Sequence, residues 1–349
     1  YASQSLEFNN GNEHFKKLLD EYDLNIVNKS NPEDVITSCR YCFESNGHLI
    51  APCKCIGSNK YVHKECLSKW QYNSILAQST HPKYQTNIEK ICNVCNSKFI
   101  FQEYSREELM LKFTGEEIAN MIIKGSYLVS SESSSKSNLE IMSKHKKDAE
   151  LYQNLKHWTK AVFLVTNIYG NASDVHILGV SITNSIDISS YHQLYFKWIK
   201  ISRHPVINSV QKSLQLDHYI GGPCNPDVPF YVIKTDYKDL NGIDLHKYNI
   251  TVVVNDEVNI IIFGQLYEIL NSDILIKLNK IYRLSIIWGI AGWSKTQLLG
   301  EIARGGWGLN KPFIYDESLE MNNIWKYFLE KENVIFCGEN DYCKVFKSD

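Results

Sequence analysis

Seven cysteines and one histidine stand within residues 39–95 in the pattern C-x2-C-x10-C-x-C-x7-H-x2-C-x25-C-x2-C: Cys39, Cys42, Cys53, Cys55, His63, Cys66, Cys92 and Cys95. Thiolate sulfur and imidazole nitrogen are the donors a structural Zn²⁺ prefers, and four of them close its tetrahedral shell against water. Eight donors make two complete sets, so the chemistry they predict is metal-built folding with two structural Zn²⁺ ions. Ligating cysteines must be thiolates. The pattern therefore predicts a reducing intracellular compartment, such as the cytoplasm, where disulfides do not compete. The other three of the ten cysteines, Cys224, Cys337 and Cys343, lack ligand pairing and read as small apolar or inert side chains.

Elsewhere the reactive residue types form no working constellation. His157, His176, His192, His204, His218 and His246 are scattered without ligand or triad spacing, and Asp236, Asp239 and Asp244 read as a solvated loop. Nucleophile elbows, dinucleotide fingerprints and metalloprotease helices are absent from the sequence. Gly289–Thr296 departs from a phosphate loop because Trp293 and Ser294 stand where small residues must precede the lysine. No catalytic residue is assigned.

The elements that must position the zinc ligands sit in a chain of 349 residues with a net charge of −2 and 44% hydrophobic residues. That length holds two or three domains. The near-neutral charge gives no reason to expect nucleic acid as a partner. No apolar run approaches the ~18 residues of a spanning helix, so no transmembrane segment is predicted. The first residue is Tyr1 rather than methionine, which reads as a fragment or a processed chain.

Composition shifts divide the chain into an N-terminal extension (1–33), a zinc segment (34–104), a helical linker (105–124), a mixed α/β domain (125–335) and a tail (336–349). The extension has one amphipathic stretch, His14 to Tyr22, and Ser130 to Lys147 reads as a surface insertion. Ser105 with Glu108, Thr114 with Glu117, and Ser294 with Gln297 are capping-box spacings. They predict helices at 106–113, 115–123 and 295–304, the last closed by Gly305, and Asn323 to Lys331 is also helix-like. Apolar or alternating runs predict strands at 125–129, 161–167, 176–182, 228–234, 249–254 and 258–264. Gly221-Gly222-Pro223 reads as turn chemistry. Trp293 and Trp307, near Gly292, Gly305 and Gly306, predict close backbone passage beneath indole rings.

The zinc segment, with its CRYC, LIAPCKCIGSNKYVHKECLSKW and CNVC runs, resembles the RING-CH (RING-variant) zinc finger over about a fifth of the chain. That resemblance implies cross-bracing: Cys39, Cys42, His63 and Cys66 hold one metal, and Cys53, Cys55, Cys92 and Cys95 the other. It also implies a ubiquitin ligase, a scaffold forming no covalent intermediate, which recruits a ubiquitin-conjugating enzyme to an apolar groove. The matching positions are Tyr41, Leu67 and Trp70, with Pro52 nearby. Asn96 stands after Cys95 where many active ligases carry a basic residue, the nearest here being Lys98.

Five later segments, GSYLV at 125–129, AVFLVT at 161–166, LGVSITNS at 178–185, GGPCNP at 221–226 and GIAGWSKTQLLGEIARGGW at 289–307, resemble the AlgH/YqgE family. The implied fold class is α+β, a cross-braced two-zinc module followed by a mixed α/β domain whose bifurcated sheet curls into a pseudo-barrel. Two functions follow as expectations. In one, the AlgH-like domain binds a partner while the zinc module transfers ubiquitin. In the other, the chain is a non-catalytic subunit of a larger, mitochondrial complex and the zinc finger is a protein contact surface.

Overall fold

A computed structural model describes residues 37–78, 86–101, 104–132, 159–171, 174–211, 214, 216–256, 258–272, 274–278, 281–314, 324–331 and 334–337. The extension 1–33 with its helix at 14–22, and most of the 130–147 stretch and the 336–349 tail, lie outside these residues. The chain forms two compact units, one ending at Cys66 and the other beginning at Leu67.

Among its described residues the first unit is mostly loop. There β1 (Leu49–Ile50) pairs with β2 (Val62–His63), antiparallel, with Leu49 opposite His63. Helix α1 (Lys64–Leu76) starts directly from β2 and runs into the second unit. Its buried positions are Leu67, Ser68, Gln71, Tyr72 and Ile75, a helical stripe at spacings of three and four. Two of the five are polar, which is why hydrophobic periodicity marks this helix weakly.

The second unit begins with two helices, α2 (Arg106–Thr114) and α3 (Glu116–Asn120). Ser105 completes the predicted capping box: its hydroxyl accepts from the Glu108 N–H, and the Glu108 carboxylate accepts from the Ser105 N–H. The second predicted box does not form. Thr114 is buried inside α2 with its hydroxyl 3.4 Å from the Tyr72 hydroxyl, and Gly115, at φ 100°, takes the N-cap place.

A sheet with 11 strands among the described residues follows. Its strands are β3 (Tyr127–Ser130), β4 (Val162–Asn171), β5 (Asp174–Ser181), β6 (Ser185–Ile186), β7 (Asp217–Ile220), β8 (Cys224–Asp236), β9 (Thr251–Asn255), β10 (Asn259–Gln265), β11 (Ile281–Ser294), β12 (Trp307–Asn310) and β13 (Ile335–Phe336). Helices α4 (His192–Ser202), α5 (Pro205–Gln211), α6 (Leu266–Leu270), α7 (Ile274–Lys277), α8 (Lys295–Ala303) and α9 (Ile324–Lys331) lie between them.

The main path runs β13-β12-β3-β4-β5-β11-β8-β10-β9. Strand β11 is the fork: residues 281–290 pair with β8, residues 291–294 with β5, and 285–288 run parallel to β7. The predicted bifurcation is therefore present. The sheet curls without closing among the described residues. Asn167 on β4 reaches Thr251 on β9 by a side-chain bond of 3.2 Å, with no ladder between those strands.

Both faces of the central strands are buried, as period-two alternation requires of a curled sheet covered by helices. Val162 and Leu164 of β4 face the inner core with Phe230, Val232, Ile261 and Phe263. Phe163 and Val165 face the opposite way, toward α1, α2 and α8. A third cluster packs α4 to α7 against Tyr231, Ile233, Ile262 and Trp288.

Gly221 and Gly222 are not a turn requirement; neither has a left-handed φ. A Cβ on Gly222 would lie 2.2 Å from the Ile290 carbonyl carbon, and one on Gly221 would lie 2.3 Å from the Gly289 oxygen. The connection from β7 to β8 runs in backbone contact with β11, and only glycine leaves that space.

Candidate metal centre

Two loops of the same shape present the paired cysteines. The Cys39 N–H donates to the Glu44 carbonyl and the Phe43 N–H to the Cys39 carbonyl; likewise Cys92 donates to Ser97, and Asn96 to Cys92. Each loop turns through a left-handed residue just after its second cysteine, Phe43 at φ 64° and Asn96 at φ 55°. Asparagine suits that conformation better than other side chains do. This gives Asn96 a backbone reason that spacing alone conceals.

The eight predicted ligands come together as two sets. Cys39, Cys42, His63 and Cys66 form one and Cys53, Cys55, Cys92 and Cys95 the other, the ligand atoms of each within 4.8 Å of one another. Nδ1 of His63 lies 3.2 Å from Cys42 Sγ and 3.8 Å from Cys66 Sγ, so it is the ligating nitrogen. Nε2 faces the Asn46 carbonyl, and a proton there leaves Nδ1 a free lone pair, the second-shell arrangement metal-bound histidines use.

The donor set fits zinc on charge as well as type. Burial weighs against the Cys39 thiolate, yet backbone N–H groups, including those of Tyr41 and His63, donate to its sulfur and bring its pKa down to about 7. Cys66 goes the other way, pushed up to about 12 by burial and then by the charge of Cys39. These sulfurs cannot all ionise without a cation between them, and a divalent ion supplies it.

One contributor was not read from the sequence. Arg40, inside the first CxxC, places Nη1 3.5 Å from Cys55 Sγ and 3.7 Å from Cys53 Sγ. Four thiolates around Zn²⁺ leave a net charge of about −2. The guanidinium offsets part of it. Ser97 adds a hydroxyl 3.0 Å from Cys95 Sγ.

The predicted partner-binding residues differ in what they expose. Leu67 is 3% exposed, in the buried stripe of α1, while Tyr41 and Trp70 are half-buried. Trp70 meets Phe99 edge-on at 5.7 Å, which fixes its ring. Exposed Ile56, Val94 and Ile100 add apolar surface within the zinc segment.

A buried ion pair just before Cys92 ties the end of α1 to the start of α2. Glu89, 2% exposed, accepts from Arg106 Nη2 at 3.0 Å and from Gln78 Nε2 at 3.1 Å. Gln71 donates to the Glu89 carbonyl at 3.0 Å. This network gives Gln71, a buried polar position of α1, its partner.

Two family matches agree with this geometry. Residues 39–95 match the RING-variant domain and residues 156–334 match the AlgH-like family. The chain is 32% identical over 111 residues to E3 ubiquitin-protein ligase MARCHF7 of Rattus norvegicus and likewise of Mus musculus; the match covers 30% of this chain and only 15% of either relative. Among solved structures, protein DIP2367 from Corynebacterium diphtheriae is similar at 19% identity and a TM-score of 0.35, over 58% of this chain and 85% of that one. The AlgH protein from Pseudomonas aeruginosa follows at 13% identity and a TM-score of 0.32, over 65% and 94%.

Proposed function

The chain belongs to the AlgH-like family and carries a two-zinc RING-variant domain, and from that premise we propose that it is a ubiquitin ligase. In this reading the zinc module recruits a ubiquitin-conjugating enzyme while the AlgH-like domain holds a protein partner. The observation that carries it is the interleaved eight-donor set with Trp70 fixed on the helix that leaves it. The name of the mammalian relatives points the same way. Such a scaffold breaks no bond itself. It holds the thioester of the conjugating enzyme and an acceptor amine in a reactive pose, which is a proximity effect. Tyr41 and Trp70 supply the aromatic contact, and Leu67 supports α1 from beneath.

The test is ubiquitin transfer in vitro with a panel of conjugating enzymes. Chain formation that Trp70→Ala reduces at least tenfold supports the reading. Absence of transfer across the panel defeats it. Exposed Asn96 favours the second reading, a non-catalytic subunit using the zinc finger as a contact surface within a larger, organellar assembly. Stable co-purification with such an assembly, without transfer, would support that one.

A further inference from the structure

A cleft of about 940 Å³ opens in the AlgH-like domain between β5, the start of β8, β11 and α8. Its walls are mainly apolar, with Leu178, Ile290 and Ala291 among them. Tyr169, 52% exposed, stacks on His176 at 5.4 Å to form an aromatic lip. That volume is at the upper end for small-molecule sites, which are apolar with a few placed polar groups.

The placed group is Glu301. Its Oε2 accepts the indole N–H of Trp293 at 3.1 Å and of Trp307 at 2.8 Å, and its Oε1 accepts from Gln297 Nε2 at 3.1 Å. A carboxylate has about four lone-pair sites. Three are filled by neutral donors, and the open one is on Oε1. Both lysine and arginine on or beside α8 are committed elsewhere: Lys295 to Glu107 at 3.3 Å, and Arg304 to carbonyl groups at the end of α1. No cation pairs with Glu301 among the described residues. A second cavity, of about 500 Å³ beside Tyr191, His192 and Trp288, lacks this property, since its carboxylate, Asp227, already pairs with Lys197 at 3.0 Å.

We propose that the cleft binds a primary ammonium group carried on an apolar or aromatic body, with Glu301 Oε1 as its acceptor. The neutral indole and amide donors hold the carboxylate in place without cancelling its charge, and the apolar walls take the rest of the ligand. The chemistry belongs equally to the amino terminus of a polypeptide and to a free small amine. It holds whether or not the zinc module transfers ubiquitin.

The test follows the indole N–H resonances of Trp293 and Trp307 in the zinc-loaded full chain during titration. Phenethylamine is expected to shift both saturably at neutral pH, and its neutral isostere 2-phenylethanol to bind at least tenfold more weakly. Glu301→Gln keeps an oxygen for the indoles, so the fold survives and the amine-to-alcohol preference falls to near one. Cys224→Phe, at the exposed rim, is expected to block both probes with unchanged melting temperature. Phe-Leu amide against its N-acetyl form separates the two sources: a free amino terminus binding at least tenfold more tightly than phenethylamine assigns polypeptide, and the reverse assigns a small amine. Equal affinity for amine and alcohol, no saturation by any amine, or a preference that survives Glu301→Gln overturns the proposal.

Discussion

Arg304 donates from Nε to the carbonyl oxygen of Leu76 at 2.7 Å, across 228 residues of sequence. Its Nη2 reaches the Ile75 and Gln78 carbonyls at 3.3 and 2.9 Å. The last carbonyls of a helix lack partners within it and carry the negative end of its dipole. The helix leaving the zinc ligands is thus capped by a guanidinium from the AlgH-like domain. Arg304 is itself the C-cap of α8, where Gly305 and Gly306 donate to Ile302 and Glu301 and close the helix.

Replacing Arg304 by alanine is expected to destabilise the chain by about 2 kcal/mol, the scale of hydrogen bonds from a charged donor. Chemical denaturation measures it. Arg304→Lys should recover less than half, because one ammonium cannot span three diverging carbonyls.

Removing the Arg106 side chain leaves Glu89 buried and unpaired. The expected cost of Arg106→Ala is about 3–5 kcal/mol. The double variant Arg106→Met with Glu89→Leu should cost less than Arg106→Ala alone, and a double-mutant cycle in urea reads the difference.

Metal removal should act on one part of the chain first. Neither ligand set is complete without Cys39 to Cys66, and binding free energy here is folding free energy. A strong chelator is expected to release about two Zn²⁺ per chain. Amide exchange in residues 37–66 should then rise by orders of magnitude while β8, β10 and β11 stay protected. Metal analysis and hydrogen exchange by mass spectrometry check both outcomes.

His218 should make stability fall in mild acid. Burial pushes its pKa from 6.5 down to about 4, against the opposing charge of Asp217, and its Nδ1 accepts the Trp288 indole N–H at 3.2 Å. The unfolded chain takes up the proton first. The stability this group confers is therefore full above pH 6.5 and is lost as pH falls through 4, a span of about 3 kcal/mol. His218→Gln keeps an acceptor for the indole and does not titrate. The difference in denaturation midpoint between wild type and variant, followed from pH 7 to 4.5, should shrink in that window. A constant difference would refute it.

Legibility followed the range of the interaction. The ligands of Zn²⁺ are set by residue type and short spacing, so all eight were readable, as were the local caps at Ser105 and Ser294. Strands with uninterrupted apolar runs were readable too. The longest strand, β11, was not, because Gly289 and Gly292 break its run where it crosses other backbone and changes partners. Helix α4 was also missed; its apolar face matters only against the sheet. The Thr114 cap failed because a tertiary partner, Tyr72, claimed the hydroxyl.

The sequence by itself determined which residues bind metal and that a mixed α/β domain follows, since donor chemistry and strand periodicity are local properties. Tertiary structure alone decided that Arg304 caps α1, that Arg40 lies against the Cys53 and Cys55 sulfurs, and that two indoles converge on Glu301. Those pairings depend on how distant backbone segments are brought together in space, and residue order does not encode that distance.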